Sequence, residues 1–329
     1  MKIEQNFSLL PFNTFGIDVR AAAFVEYESV DELQTLLPLA GDHLHIGRGS
    51  NLLFTGDYAG RVLHSAILGT EIVAEEGTDV LVRVGGGVLW DDFVQWALSR
   101  GLSGVENLSL IPGEVGAAAV QNIGAYGAEV ADVVERVEAV ELSTGKLRSF
   151  AREDCGYAYR HSIFKGALRG TLAITHVSFR LSRVFVPRLG YGALAQAVGP
   201  APTAAEVRDA VVRIRRAKLP DPAVQGNAGS FFMNPVVSET AFARLQARWP
   251  GVPHYRGEGG VKVPAGWLIE QCGWKGRALG RAGVSERQAL VLVNLGGATG
   301  RDIVRLAEAV IADVRDMFGI TLQPEVNIV

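Results

Sequence analysis

Apolar residues recur at helical spacing along several stretches of the chain, and each stretch carries its own start or stop signal. Ser29-Val30-Asp31-Glu32 reads as a capping box, in which a hydroxyl and a carboxylate satisfy the unpaired amides of a first helical turn, and Leu33, Leu36 and Leu37 follow at helical spacing. Leu89, Trp90, Phe93, Val94, Ala97 and Leu98 form one apolar stripe ended by Gly101. Thr203-Ala204-Ala205-Glu206 is a second capping box, opening a helix with Val207, Ala210, Val211 and Ile214 on its buried face and Pro220 as its close. The last long helix is predicted from about Asp302 to Phe318, with Ile303, Leu306, Ala307, Val310, Val314 and Met317 inward and Gly319 as its stop.

Alternating segments lie between these helices. Val137 to Leu142 and Leu147 to Phe150 read as strands joined by the turn Ser143-Thr144-Gly145-Lys146, and Ala173 to Leu181 reads as another. Val80 to Val84 is a strand running into Gly85-Gly86-Gly87. A strand from Thr321 to Val329 follows the last helix, with Gln323, Glu325 and Asn327 on one face and Leu322, Val326 and Ile328 on the other. Strands and helices are intermixed without a strict βαβ repeat, which predicts α+β domains over a single doubly wound sheet. Gly199-Pro200-Ala201-Pro202 is linker-like and places a boundary near residue 200.

Length and charge narrow the class. A chain of 329 residues exceeds one ordinary core and is expected to divide into two or three domains. A composition 48% hydrophobic and 20% charged is that of a globular protein and excludes disorder. The net charge of -3, with no polybasic run, offers nothing to a nucleic-acid backbone or an anionic membrane, so the partner is expected to be a small molecule or another subunit. Met1-Lys2-Ile3-Glu4-Gln5 lacks a charged-then-apolar leader and the apolar runs are shorter than a membrane span, so a cytoplasmic location is expected. Cys155 and Cys272 belong to no CxxC pair and read as buried free thiols. His43 and His45 read as one face of a short strand, there is no HExxH, and no metal is expected.

Glycine, 39 residues, is clustered, and the clusters carry the candidate chemistry. Gly47-Arg48-Gly49-Ser50-Asn51 is backbone that can approach a pyrophosphate and cradle its charge, with a structural turn as the competing reading. Leu52 stands where GxGxxG needs glycine, and no Walker sequence is present. Small residues dominate from Gly113 to Ala119, suited to backbone lying against a flat ligand, and Gln121 and Asn122 add groups able to read a ring edge. A flat heterocycle plus a pyrophosphate describes a flavin dinucleotide, and a closely packed glycine-rich crossover is the alternative. Ser230 lies in Gly226-Asn227-Ala228-Gly229-Ser230-Phe231-Phe232-Met233-Asn234-Pro235 with no histidine nearby, and Ala228 and Phe232 occupy the glycine positions of a nucleophile elbow. Ser230, if it is chemical, is therefore expected to do something other than attack, and a hydrogen bond within its loop is the competing reading.

An ordered set of motifs resembles the type I members of the UDP-N-acetylenolpyruvoylglucosamine reductase (MurB) family over nearly the whole chain. It comprises Asn13-Thr14-Phe15-Gly16, Gly47 to Leu53, Ile111 to Gly127, Tyr159-Arg160-His161-Ser162-Ile163-Phe164-Lys165, Gly229 to Pro235, Pro264-Ala265-Gly266-Trp267-Leu268-Ile269-Glu270 and Pro324-Glu325-Val326. Pro187-Arg188-Leu189-Gly190-Tyr191-Gly192 looks like the tyrosine-bearing loop of type I. The resemblance implies an α+β protein of three domains, two of them forming a vanillyl-alcohol-oxidase-type FAD-binding fold. The expected division is 1–68 joined by the C-terminal strand 320–329, then 69–202, then a substrate domain 203–319. It further implies a monomeric enzyme of peptidoglycan precursor synthesis that reduces the enolpyruvyl ether of UDP-N-acetylglucosamine to UDP-N-acetylmuramate, with FAD as cofactor and NADPH as co-substrate. A flavin oxidoreductase of the same fold on another substrate, and a flavin or nucleotide-sugar binder without chemistry, are the alternatives.

By the same resemblance Gly47, Arg48, Gly49, Ser50 and Asn51 cradle the pyrophosphate, and Pro112, Gly113, Gly116, Ala117, Gln121, Asn122, Gly124 and Ala125 wrap the flavin. Hydride arriving at the vinyl carbon leaves an enolate-like species, which needs a cation, a stabiliser of its oxygens and an acid for carbon. The matching positions are Arg160 as the cation for the carboxylate, Glu325 as a protonated or proton-sharing stabiliser, and Ser230 as proton donor. Tyr191, Lys218, Asn234 and Gln288, with Tyr126, Tyr255 and Lys262, match the residues that hold the diphosphate and uridine. The cluster around Lys218, Arg213 to Lys218, reads mostly as a solvated helix end.

Overall fold

The helix boundaries follow from side chains that satisfy the first-turn amides. In the computed structural model, which describes residues 1–39, 41–257 and 259–329, Thr203 Oγ1 accepts from the Glu206 amide over 3.2 Å while Glu206 accepts from the Thr203 amide over 2.7 Å, and Ala204–Lys218 is helical. Thr299 and Asp302 make the same reciprocal box, so the last long helix begins at Gly300, two residues before the predicted start, and Gly319 ends it at φ +69°. Ser29 Oγ caps Glu32 N over 3.1 Å, but Glu32 reaches back to the Glu28 amide, and the helix Val30–Thr35 stops short of Leu37. The apolar stripe forms the helix Trp90–Ser99 with Trp90, Phe93, Val94 and Ala97 buried. Leu89 is the residue ahead of that helix and is exposed, against expectation.

The chain resolves into two compact units. The first comprises residues 1–7, 21–48 and 59–215. Its main sheet has five antiparallel strands in the order Leu147–Ala151, Val134–Glu141, Leu172–Ser182, Asp79–Gly85, Thr70–Glu76. The predicted turn at Ser143 to Lys146 joins the first pair, with Val140 opposite Leu147. One face of this sheet buries Val82, Val84, Val137, Val177 and Phe179 against Trp90 and Phe93, whose rings lie 5.9 and 4.7 Å from Phe179. A second sheet in this region orders Lys2–Ser8, Arg20–Tyr27, Tyr58–Ser65 and His43–Ile46, with the last two parallel. His43 and His45 do lie two apart on a short strand, as expected.

The second unit comprises residues 8–20, 49–58 and 216–329. Its four-stranded sheet runs Asn227–Ser230, Val291–Asn294, Ala282–Val284, Ala278–Leu279, and Val236–Val237, Gly260–Lys262 and Tyr255–Gly257 form a three-stranded sheet. The long helix Gly300–Phe318 covers this unit's core with Ile303, Leu306, Val310 and Val314 fully buried.

Three expectations need correction. The C-terminal strand is much shorter than Thr321 to Val329: only Asn327–Ile328 is strand, paired in parallel with Leu52–Leu53. Around Pro324 the segment makes only an isolated bridge with Phe232, flanked by the bonds of Met233 to Gln323 and of Glu325 to Phe231, before the chain pairs with Leu52–Leu53; Leu322 and Val326 are buried and Ile328 is exposed. Met317 is half-buried and not an inward residue. Cys155 is buried, but Cys272 is half-buried. Among the described residues no helix is long and apolar enough to cross a membrane. The architecture is α+β.

Candidate active site

Arg160 sits at the tip of a tight turn closed by reciprocal Ala158 and His161 backbone bonds of 3.1 and 2.9 Å, with φ +54°. A non-glycine residue in this conformation is strained, and such strain collects where a side chain must be aimed. The guanidinium donates to the carbonyls of Asn122 over 3.3 Å and Gly124 over 2.7 Å, which locks it against the end of the helix Val115–Gln121. Lys165 Nζ ties the same turn down, donating to the Arg160 carbonyl over 3.3 Å and to Gln121 Oε1 over 2.9 Å. Sequence motifs placed Arg160, Gln121 and Gly124 in separate roles. The fold brings them into one cluster.

The glycine-rich segments of the first unit are packed as tightly as the structural reading required. A Cβ on Gly47 would meet Glu114 Oε2 at 2.9 Å, and Gly116 donates to the Gly86 carbonyl over 2.9 Å. Asn122 departs from expectation. It is fully buried in the left-handed region at the helix end, donating to Glu129 over 2.8 Å and the Ala158 carbonyl over 2.9 Å and accepting from Ala131 N over 3.1 Å. Its side chain is consumed by the protein and reads no ring edge. The partly exposed positions are Gly113, Ala117, Gln121, Gly124 and Ala125, with Pro112 exposed. These present backbone, methyl groups and one amide, a donor set that can fit a flat heterocycle.

Tyr126, at φ +49°, meets the ring of Tyr191 edge-on at 6.5 Å and 89°. Burial raises the Tyr126 phenol pKa, opposed by the charge of Arg215. Arg213 and Arg216 are exposed, as a solvated helix end requires, but Arg215 between them is not. Its Nε has no hydrogen-bond partner among the described residues, and burial followed by the opposing influences of Tyr126 and Asp91 and then the like charge of Arg160 sets its depressed pKa. A desolvated guanidinium near a second one makes a field that favours an anion. Nothing in the sequence distinguishes Arg215 from its neighbours, because only the helix rotation selects it.

In the second unit Ser230 ends the strand Asn227–Ser230, opposite Val291, after a register shift. Gly229 makes that bulge at φ +67°, and its amide donates to Asn227 Oδ1 over 2.9 Å. A bulge re-aims the side chain that follows it, here Ser230. The next carbonyl, of Phe231, accepts from the Glu325 amide over 2.8 Å, and Phe232 bridges Pro324. Asn51 Nδ2 in turn donates to the Glu325 carbonyl over 3.3 Å, and the Asn51 carbonyl accepts from the Asn327 amide over 3.0 Å. Ser230 and Glu325 therefore lie on adjoining backbone segments, braced by Asn51. Glu325 is half-buried.

The remaining residues of this unit gather around the chain after Ser230. Asn234 Oδ1 accepts from the Ala265 amide over 2.9 Å at the start of the helix Ala265–Gln271. Gln288 Oε1 would lie 3.2 Å from a Cβ on Gly266 of that helix. Lys262 is paired across strands with both Val236 and Tyr255, and Tyr255 is exposed. Lys218 is exposed at the end of its helix.

One buried network escaped the sequence reading. His64 lies between Glu26 and Glu114 at 2.9 Å each, with Glu114 buried directly behind Gly47. Its members are 38 and 50 residues apart, so no local spacing reveals them.

Residues 21–151 match the family described as FAD binding domain, and residues 221–329 match UDP-N-acetylenolpyruvoylglucosamine reductase, C-terminal domain. With the fold, these define the class: an FAD-containing oxidoreductase. The chain is 55% identical over 333 residues to the UDP-N-acetylenolpyruvoylglucosamine reductase of Bacteroides fragilis, covering 99% of this chain and 100% of that one. It is 49% identical over 338 residues to the enzyme of the same name from Porphyromonas gingivalis, covering 99% of each. The crystal structure of the reductase (MurB) from Thermus caldophilus superposes with a TM-score of 0.70 at 26% identity, covering 100% of this chain and 99% of that one. The chain belongs to the UDP-N-acetylenolpyruvoylglucosamine reductase family, which acts in peptidoglycan precursor synthesis.

Proposed function

We propose that this chain reduces UDP-N-acetyl-3-O-(1-carboxyvinyl)-glucosamine to UDP-N-acetylmuramate, with NADPH as reductant. FAD, when bound, supplies the hydride for the vinyl carbon. Gly47 to Asn51 would hold its pyrophosphate, and the small-residue surface from Pro112 to Ala125, apart from the Asn122 side chain, its ring.

The protein then has to manage the charge that hydride delivery creates. Arg160 pairs with the carboxylate of the enolpyruvyl group, and its two bonds to the Asn122 and Gly124 carbonyls orient the guanidinium beforehand. The field of Arg215 adds to that attraction. Glu325, carrying or sharing a proton, donates to the enolic oxygen, since an ionised carboxylate would repel it. Ser230 gives its hydroxyl proton to the carbon next to the one that received hydride, and the resulting alkoxide is reprotonated through its neighbours. Tyr126, Tyr191, Lys218, Asn234, Tyr255, Lys262 and Gln288 hold the nucleotide.

The observation that carries this reading is the adjacency of Ser230 and Glu325, joined through the Phe231 carbonyl, with a bulge at Gly229 that re-aims Ser230. The test is a two-step anaerobic titration. NADPH should bleach the flavin of the purified protein, and the enolpyruvyl sugar should then restore its colour. Ser230→Ala should still bleach yet lose about 10²-fold to 10⁴-fold in the second step. Equal loss in both steps would remove Ser230 from the proton-donor role, and a protein that NADPH leaves yellow would overturn the whole reading.

A further inference from the structure

Asn107 is 1% exposed in the short turn Glu106–Leu108, and the reaction described above gives it no task. Its amide nitrogen donates two hydrogen bonds of 2.8 Å each, one to the carbonyl of Tyr126 and one to the carbonyl of Arg188. Its Oδ1 is buried and has no hydrogen-bond partner among the described residues. An unmet buried acceptor is costly, so an asparagine here is unfavourable unless its two donors matter. Both donors end on the two segments that carry the tyrosines assigned to the substrate.

Those segments need holding. Tyr126 has φ +49° and Gly127 beside it φ +78°, so this end of the glycine run is a conformation that the backbone does not choose by itself. Residues 183–190 have no regular structure, and Tyr191 is 47% exposed. Tyr126 and Leu189 pack on the cluster of Leu194, Val207, Ala210 and Val211, and Arg188 pairs with Asp132, but neither contact sets the distance between the two backbones. Asn107 does, because one rigid NH2 group spans them. The Tyr126 and Tyr191 rings meet edge-on at 6.5 Å, and a Cβ on Gly127 would touch the Tyr191 Cβ at 3.4 Å, so a small shift of either backbone opens the pair.

We propose that Asn107 is a positioning residue for substrate binding, fastening the Tyr126 and Tyr191 segments into one aromatic clamp for the nucleotide diphosphate of the sugar. The proposal rests on the substrate role given to the two tyrosines. Asn107 touches no reacting atom, so its loss should weaken capture of the sugar and spare the chemistry.

The test compares Asn107→Ala with Asn107→Asp, which keeps the shape but replaces the donating NH2. Both should raise KM for the enolpyruvyl sugar about tenfold, the scale of one or two lost buried hydrogen bonds, with kcat within about threefold of the parent. In a Tyr191→Ala background the Asn107 effect on KM should vanish, since coupled residues are not additive. Hydrogen exchange at 124–127 and 187–192 should quicken in both variants without added sugar. Unchanged KM, full additivity with Tyr191→Ala, or unchanged exchange at both segments would overturn the proposal. The parent enzyme's turnover of the sugar is scored separately, so failure of the functional reading shows there, while exchange still decides whether Asn107 fastens the segments. If Asn107→Ala does not fold, Asn107→Asp carries the same readouts.

Discussion

Arg160 Nη2 donates to the Gly124 carbonyl over 2.7 Å, and a methyl group placed on Gly124 would lie 2.9 Å from Nη1 of the same guanidinium. It would also press on Glu129 Cγ at 3.0 Å and the Ala128 carbonyl at 3.1 Å. The guanidinium ends a flexible side chain and is the neighbour able to shift, so Gly124→Ala should keep the fold and displace the cation proposed to receive the substrate carboxylate. A misplacement near 1 Å at a reacting group costs on the order of 10²-fold in rate. Steady-state turnover, read beside flavin content and the melting temperature, should show that loss with the last two nearly unchanged. Parent-like turnover would mean that the guanidinium position does not matter.

Gly49 and Gly229 share φ +67° but differ in what surrounds them. A Cβ on Gly229 meets nothing within 4 Å, whereas one on Gly49 would lie 1.9 Å from the Phe12 carbonyl oxygen. Gly229→Ala therefore pays only the left-handed backbone term, about 1 to 2 kcal/mol. Gly49→Ala must move backbone as well and should cost about 3 kcal/mol or more. Urea midpoints of the two variants should separate in that order. Since Gly229 makes the bulge that aims Ser230, Gly229→Ala should also slow reoxidation by the sugar more than bleaching by NADPH. Equal midpoints would contradict the close approach at Gly49.

Local signals read well where the physics is local. The box at Thr203, the turn at Gly145 and the stripe from Trp90 to Ala97 depend on residues within a few positions of each other. The closing strand misread because its backbone changes partner along its length, from Phe231 and Met233 to Asn51 and Leu53, and the alternation of side chains carries no sign of that switch. The site was legible in residue type but not in arrangement. Asn122 looked like a ligand reader because its buried partners, Glu129, Ala131 and Ala158, are set by tertiary packing. Arg215 and Asn107 gave no sign at all, since one is selected by helix rotation and the other by two carbonyls 19 and 81 residues away.

Tyr27 and His45 supply a pH-dependent element under the strand that leads into Gly47. The phenol and the His45 Nε2 are 2.6 Å apart, and burial, followed by electrostatic interaction with the His64 and His43 imidazoles, pushes the His45 imidazole down from 6.5 to about 4. The unfolded chain accepts the proton near the ordinary value while the folded chain refuses it. Stability from this residue is therefore complete above pH 6.5 and is lost as pH falls from there toward 4, by up to roughly 1.4 kcal/mol per pH unit. Urea midpoints at pH 7.5 and 5 should fall more steeply for the parent than for His45→Gln, which has no proton to take. Carboxylates titrating in the same range act on both proteins, so the difference between the two slopes isolates His45. Parallel slopes would show that the imidazole protonates as easily folded as unfolded.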